Sequence, residues 1–194
     1  MLFRSNEYSY LDLSAQVVNF DDEIAIHVRG GSEIYDGALG GGAKLSFQPF
    51  AFGFGFIEGS GFSAKGSSSN LSATFLDIGL GAAYPLTGAL DFIGTVALTR
   101  QEFEICSSGF CATAEVDGSV IGVGLRLKVN ERFDILGKYE REDLDAELAG
   151  ETIGSDTYIA VLEFRVGGER HGLIGGVEDN EGDQTFKLGY RLNY

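Results

Sequence analysis

The last eight residues of the chain alternate strictly between two kinds of side chain. Within Lys187–Tyr194 every even-numbered residue is a leucine or a tyrosine, and every odd-numbered residue is charged, polar or glycine. Successive side chains of a β-strand point to opposite faces, so this segment predicts a strand with one wholly apolar face. A soluble sheet would place that face on a core and end in polar residues, whereas this chain ends in the aromatic Tyr194. The pattern favours a strand whose apolar face contacts lipid.

The same period of two recurs along the chain, and no apolar run approaches the ~20 residues of a membrane-spanning helix. In Phe50–Glu58, phenylalanine occupies every second position, which a helix core would not produce. Ten candidate strands follow from this reading: Tyr8–Phe20, Ile34–Ser46, Phe50–Glu58, Leu71–Tyr84, Leu90–Ile105, Glu115–Val129, Phe133–Asp143, Asp156–Val166, His171–Glu178 and Thr185–Tyr194.

The connections between these strands alternate between short turns and longer polar segments. The longer segments are Asp21–Glu33, Ser63–Asn70, Cys106–Ala114, Leu144–Ser155 and Asp179–Gln184. Short turns at one end and longer loops at the other are typical of transmembrane β-barrels. The sequence therefore predicts an all-β fold: a closed antiparallel transmembrane β-barrel of about ten strands, with eight as the alternative. We expect residues 1–194 to form one domain, with residues 1–7 as an N-terminal tail.

The C-terminal segment resembles the assembly signal of bacterial outer-membrane barrels. Its slots are filled by Lys187, Gly189, Leu192 and Tyr194. With Tyr10–Leu13, Asp77–Tyr84 and Gly122–Arg126, the chain resembles the small outer-membrane β-barrel proteins, such as the opacity and outer-membrane-protein-A barrels, in a ten-stranded variant.

This resemblance implies a monomeric protein of a Gram-negative outer membrane. Its partners would be outer-membrane lipid, lipopolysaccharide and the barrel-assembly machinery. An exported protein needs an apolar signal segment, which Met1–Glu7 lacks, so we expect the sequence to be a mature form after signal-peptide removal. A net charge of −15 argues against nucleic acid as a partner.

Two cysteines, Cys106 and Cys111, lie close together with no histidine beside them. This spacing predicts a disulfide in an oxidising compartment rather than a metal site. No cofactor is expected, apart from divalent cations at the external loops. The sharpest candidates for those cations are Asp179, Glu181 and Asp183, because clustered carboxylates suit Ca²⁺ or Mg²⁺; the alternative is a solvated acidic rim.

In a closed barrel the apolar rows, including the phenylalanines of Phe50–Glu58, should face lipid. Glycines and charges should then face the lumen, with Gly53, Gly55, Gly79, Gly81, Gly122 and Gly124 leaving room for long side chains. The predicted lumen charge network comprises Asp12, Lys44, Asp77, Asp91, Arg126, Lys128, Asp134, Lys138, Glu140, Glu163, Arg165, Lys187 and Arg191. These charges are nearly balanced, which favours a network that plugs the lumen over a pore of one dominant sign.

Outside the barrel, Arg100 and Arg141 are candidate contacts for lipopolysaccharide phosphates, with snorkelling side chains as the alternative. Catalytic residues are not predicted. The only histidines are His27, beside an acidic segment, and His171, expected at the periplasmic side. The leading interpretation is a structural or surface-interaction barrel with acidic external loops and an unidentified loop partner. A narrow porin-like channel is the alternative, followed by a rim enzyme of the omptin or lipid-A-modifying type, and by a soluble carrier.

Overall fold

The computed structural model of the chain is a closed β-barrel. It describes residues 8–28, 31–66, 68–107, 109–146, 151–165 and 170–194, with side chains for all of these except 22–28, 31–33, 146, 151–153 and 165. The ten strands are β1 (Tyr10–Val28), β2 (Gly31–Phe47), β3 (Gly53–Lys65), β4 (Ser69–Pro85), β5 (Leu90–Ser107), β6 (Phe110–Lys128), β7 (Phe133–Ala146), β8 (Glu151–Arg165), β9 (His171–Asn180) and β10 (Asp183–Asn193).

Each strand pairs antiparallel with its neighbours in the chain, and β1 pairs with β10 to close the ring. The predicted fold class is confirmed, with ten strands rather than eight. Since the strand number is even, β1 begins and β10 ends at the same end of the barrel, which we call the base; the opposite end is the top. Among the described residues, no helix is long and apolar enough to cross a membrane.

The strands extend further toward the top than the sequence predicted. β1 and β6 each contain 19 residues, whereas crossing a bilayer takes about 9–11. Segments predicted as loops are hairpins instead: Cys106 pairs directly with Cys111, and Ile24–Val28 pairs with Gly31–Tyr35 after a register shift. The difference arises because a strand above the lipid is solvated on its outer face and needs no apolar row, which removes the alternation that identifies strands in sequence.

The outward face of the lower half is apolar. Leu80, Leu98 and Leu188 are 67%, 72% and 70% exposed, which is the reverse of their usual burial in a soluble domain. Outward aromatic pairs border this band, with Tyr139 against Tyr158 on the top side and Phe133 against Phe164 near the base. An apolar band between aromatic rows is the surface that a bilayer requires.

The prediction for the face of β3 was wrong. Phe54 and Phe56 point into the lumen, where Phe54 is only 6% exposed, and Gly53 and Gly55 point outward. The physical reason lies in Glu58, which shares their parity and pairs across the ladder with Lys44. A carboxylate on the lipid face is costly, so the whole row turns inward. The other two phenylalanines of the row, at 50 and 52, precede β3 and are exposed.

Apolar side chains form a cluster at each end of the lumen. Near the base, Tyr8, Phe54, Ala83 and Ile93 form one cluster. Toward the top, a second cluster is formed by Val18, Tyr35, Ala38, Ala64 and Leu71. The charged side chains of the interior lie at the base and between these two clusters.

Candidate functional site

A continuous string of five charged side chains crosses the lumen at the base. Arg126 Nη2 donates to Asp134 Oδ2 at 2.6 Å and to Glu163 Oε2 at 3.4 Å. Arg191 Nη1 donates to the same Glu163 oxygen at 2.8 Å, and its Nε and Nη2 bind Asp12 at 2.7 and 2.6 Å. The order of charges is therefore minus, plus, minus, plus, minus, with each guanidinium shared between two carboxylates. Five strands, β7, β6, β8, β10 and β1, supply one member each.

Aromatic rings, including that of Tyr8 at the start of the described chain, pack around this string at the base. The guanidinium of Arg191 lies 3.9 Å from the ring centre of Tyr10, and that of Arg126 lies 5.3 Å from Tyr8. Tyr8 stacks on Phe54 with ring centres 5.1 Å apart. Burial raises the pKa of the Tyr8 phenol, so it stays neutral and donates to Asp91 at 3.3 Å.

Hydrogen bonds from β2 hold the Tyr8 segment in place. Ser46, fully buried, donates its hydroxyl to the Tyr8 carbonyl at 2.6 Å, and the Gln48 side chain accepts from the Tyr8 amide at 3.3 Å. The C-terminal residue reaches the same point, where the Tyr194 hydroxyl donates to the Ser46 carbonyl at 3.0 Å. Both ends of the described chain therefore meet at the base.

Above the base, charges are paired one to one. Lys44 Nζ donates to Glu58 at 2.6 Å and Lys187 Nζ lies 2.7 Å from Glu178. Lys138 bonds Glu140, two positions along β7. We call these three pairs, given by Lys44–Glu58, Lys138–Glu140 and Lys187–Glu178, the middle layer.

Two further carboxylates lie at or just above the middle layer with no basic partner among the described side chains. Glu142 accepts from the Gln101 amide at 2.7 Å. Asp77 accepts from the Thr99 hydroxyl, and its Oδ1 is buried and has no hydrogen-bond partner in the described part of the chain.

These groups line one cavity of about 540 Å³ inside the barrel. Of the described residues, nine carboxylates and five basic side chains line it: Asp12, Glu58, Asp77, Asp134, Glu140, Glu142, Glu163, Glu178 and Asp183, against Lys44, Arg126, Lys138, Lys187 and Arg191. The near balance expected from the sequence was therefore wrong, since the wall carries four more acids than bases. Glu58 was missed because β3 was read with the wrong parity, whereas Glu142 and Glu178 lie at the upper ends of their predicted strands and were counted with the acidic external segments.

The remaining members of the predicted lumen network occupy varied positions. Asp91 is buried beneath Tyr8, and Lys128 pairs with Asp134 in the β6–β7 ladder at the base. Arg165 ends β8, and its side chain lies outside the described part of the structure. Gly79 and Gly81 do face the lumen, where added Cβ atoms would lie 2.5 Å from Phe56 and 2.2 Å from Phe54.

The predicted cation ligands at the top are not brought together. Asp179 faces outward on β9 and Asp183 lines the lumen on β10, while Glu181 lies in the turn between them with a φ of 53°. Strand alternation thus separates carboxylates that are close in sequence. Asp183 instead accepts from the Asp21 amide at 2.9 Å. Within the described residues, the one group with metal-ligand spacing combines Glu104 with the two bridged cysteines.

The other predicted residues lie outside the lumen. Arg100 and Arg141 face outward above the apolar band, each 59% exposed and each paired with an aspartate, Asp117 at 2.7 Å and Asp143 at 3.4 Å. The predicted disulfide between Cys106 and Cys111 is present near the tip of the β5–β6 hairpin.

The two histidines are far apart along the barrel. His171 begins β9 at the base, and its Nδ1 is hydrogen-bonded to the Tyr190 hydroxyl. His27 pairs with Ser32 near the top of β1, and its side chain lies outside the described part of the structure.

Comparison with known families decides the class of this barrel. The outer membrane protein beta-barrel domain family matches residues 4–168. The chain belongs to this family. Its location is the bacterial outer membrane, so the base is periplasmic and the top external. A comparison with curated proteins finds none that matches the chain.

Solved structures share the fold at low sequence identity. The outer membrane protease OmpT from Escherichia coli is 8% identical and has a TM-score of 0.57, with 100% of this chain and 99% of that chain covered. The translocator domain of the autotransporter NalP from Neisseria meningitidis is 12% identical and has a TM-score of 0.50, covering 99% and 91%. The attachment invasion locus protein Ail of Yersinia pestis is 10% identical with a TM-score of 0.45, covering 95% and 99%. At these identities the likeness to OmpT and to the NalP domain shows the fold alone.

Proposed function

We propose that this protein is a closed outer-membrane barrel with a structural or surface-interaction role, whose lumen is blocked at the periplasmic base. The observation that carries the proposal is the string of Asp134, Arg126, Glu163, Arg191 and Asp12. Its members are between 3% and 12% exposed. Groups this well paired and buried hold each other in place, because moving one would leave its partners as uncompensated charges.

A planar-bilayer recording tests the closed base. We expect purified wild-type barrels, shown to be folded by their shifted migration on an unheated gel, to insert without steady conductance. A variant carrying Arg126→Ala and Arg191→Ala removes both guanidinium groups and should conduct. Arg100→Ala, on the outer surface, is the matched control and should remain silent. Steady, defined channels in the wild type would overturn the closed base.

A narrow channel is the second candidate, and one observation favours it. One continuous cavity is lined by residues from Tyr8 at the base to Asp183 at the top. An excess of carboxylates along such a path attracts cations and repels anions. If the wild type does conduct, this candidate predicts cation selectivity, and neutralising Lys187 should increase it by removing a positive charge from the middle layer.

The external surface supports an interaction role. Arg100 and Arg141 lie at the upper edge of the apolar band, and we expect lipopolysaccharide phosphates at this height. Above Arg100, Glu102 and Glu115 lie directly opposite each other across β5 and β6 on the outward face. Like charges so placed repel, and a divalent cation shared with a lipid phosphate would relieve the repulsion.

Binding of lipopolysaccharide to the detergent-solubilised barrel tests this surface. The variant Arg100→Ala with Arg141→Ala should bind more weakly than the wild type, and adding a chelator should weaken wild-type binding. The control is Arg132→Ala, in the periplasmic turn between β6 and β7, which should bind as the wild type does. Equal binding by all three proteins would rule out the two arginines as lipid contacts.

A rim enzyme has the least support. His171 lies at the base and faces outward, away from any external substrate. His27 is therefore the remaining histidine for such a site. The change His27→Ala should abolish hydrolysis of peptide or lipid A substrates if the barrel has that activity. We expect no hydrolysis by either protein.

A further inference from the structure

We propose that the lumen cavity binds an amphipathic organic cation, a primary amine joined to an apolar group. The ammonium group would lie at Asp77 and Glu142, and the apolar group would lie against Phe62 and Phe75. This site is separate from the closed base, and its binding is measured independently of conductance.

The first argument is the charge left over in the cavity. The middle layer matches three lysines with three glutamates, as described above. Apart from Asp183 at the top, Asp77 and Glu142 then remain, and among the described side chains the groups that bond them are neutral: Thr99, Gln101 and Ser155. Neutral donors leave the negative charge of a carboxylate uncompensated, so a cation is the kind of partner that both groups lack.

The second argument is the unsatisfied oxygen of Asp77. Its Oδ1 is buried and lacks a partner in the described part of the chain, although the residue lines the cavity. Leaving a buried carboxylate oxygen without a donor is costly. Because Oδ1 is shielded from the cavity, a rotation of the Asp77 carboxylate would bring it to a bound ammonium group, whose three donors could then also reach Glu142.

The third argument is the aromatic wall beside these carboxylates. Phe62 lies 5.8 Å from Phe75 between ring centres, and Phe75 lies 6.0 Å from Phe103. The facing wall is polar, with Thr157 and Thr185. A ligand with one apolar and one polar side matches this division. The lumen already contains one such contact, because the Lys44 ammonium group lies 4.7 Å from the ring centre of Phe56.

The fourth argument is size and access. A cavity of about 540 Å³ falls in the range of small-molecule sites, roughly 300–1,000 Å³. The barrel wall is lowest at β9 and β10, which contain 10 and 11 residues against 19 in β1. Asn180 and Asp183, beside the turn of that hairpin, line the cavity. A ligand can therefore enter from the external side at an acidic edge.

Calorimetric titration of the full-length, detergent-solubilised barrel tests the proposal with 2-phenylethylamine as the probe. The matched comparison is 3-phenylpropionate, which keeps the ring and reverses the charge. We expect the amine to bind at least about tenfold more tightly than the acid. The wild-type titration is decisive without any variant. Equal affinity for the two compounds, or no heat from either at millimolar concentration, would overturn the proposal.

Variants then locate the site. Asp77→Asn should weaken amine binding by about tenfold or more, whereas Asp77→Glu should restore part of it. Asp77→Asn keeps the size of the side chain and an oxygen that can accept from Thr99, so the barrel should still fold and show its gel shift. Asp117→Asn, on the outer surface, is the control and should bind normally. Amine binding that Asp77→Asn leaves unchanged would place the ligand elsewhere and overturn the assignment.

Discussion

The base and the middle layer of the lumen are both built from ion pairs, but they differ in how the charges are shared. At the base, Arg126 and Arg191 each bind two carboxylates, and Glu163 is common to both. In the middle layer, each lysine meets one glutamate. The planar guanidinium offers five donors in a fixed arrangement, whereas an ammonium group is a compact point charge. Arginine therefore links the charges of the base into one network, whereas the lysines of the middle layer form separate pairs.

The difference in exposure follows the same division. Base members are 12% exposed or less, while the middle-layer side chains are 22% to 30% exposed, with the exception of Lys138 at 10%. Water in the cavity can solvate a middle-layer group that loses its partner more readily than a member of the base, because the base side chains are more deeply buried. We therefore expect the stability of the barrel to depend mainly on the base and ligands to bind in the layer above it.

The largest effect should come from breaking the string at Arg191. Arg191→Met would leave Asp12 and Glu163 without one of their main cationic partners. Removing one partner of a buried pair costs about 3–5 kcal/mol, and we expect a loss of that size in the free energy of unfolding. Urea unfolding in lipid vesicles, followed by tyrosine fluorescence, measures it.

Two controls sharpen this result. Arg191→Lys keeps the charge but not the two-pronged contact with Asp12, so its loss should be intermediate. Arg100→Met breaks an exposed pair on the outer surface and should leave unfolding nearly unchanged. If Arg191→Met and Arg100→Met had equal effects, the string would not be what stabilises the base.

The next effect concerns the aromatic part of the base. Gly81→Ala would place a Cβ 2.2 Å from the Phe54 ring and displace it from Tyr8. We expect a loss of about 1–3 kcal/mol, the usual cost of overpacking. Gly94→Ala is the matched control, because nothing lies within 4 Å of its added Cβ. The free energies of unfolding of the two variants check this. Equal values would indicate that Phe54 faces lipid, as the sequence alone suggested.

That comparison also shows what the sequence could and could not determine. Strand number, closure and the disulfide were all predictable, because membrane-facing strands alternate and the two cysteines lie five positions apart. The face of β3 was not, since four phenylalanines at alternate positions suit lipid and a packed lumen equally. Glu58 held the missing signal, because its parity cannot face lipid. The pairing of Arg126 with Glu163, 37 residues away, needed the ladder register and was beyond sequence reasoning.

A smaller effect is expected in the middle layer. Lys44→Met leaves Glu58 without its 2.6 Å partner, but the cavity and Lys187 remain near that carboxylate. We expect a loss of about 1–2 kcal/mol in the free energy of unfolding, below that of Arg191→Met. The same urea titration measures it. A loss equal to that of Arg191→Met would mean that the middle layer is as rigid as the base.

The smallest effect should come from the far end of the barrel. Cys106 and Cys111 already face each other across the β5–β6 ladder, so their disulfide closes a ring that the hairpin pairing also closes. For so short a ring, loop-closure entropy limits the stabilisation by the disulfide to about 2 kcal/mol. The hairpin tip opens locally without unfolding the barrel, so little of that should appear in global unfolding. We expect Cys106→Ser with Cys111→Ser to keep the gel shift and the urea midpoint while amide exchange at the tip accelerates. A large drop in the midpoint would instead show that the top of the barrel, and not the base, sets its stability.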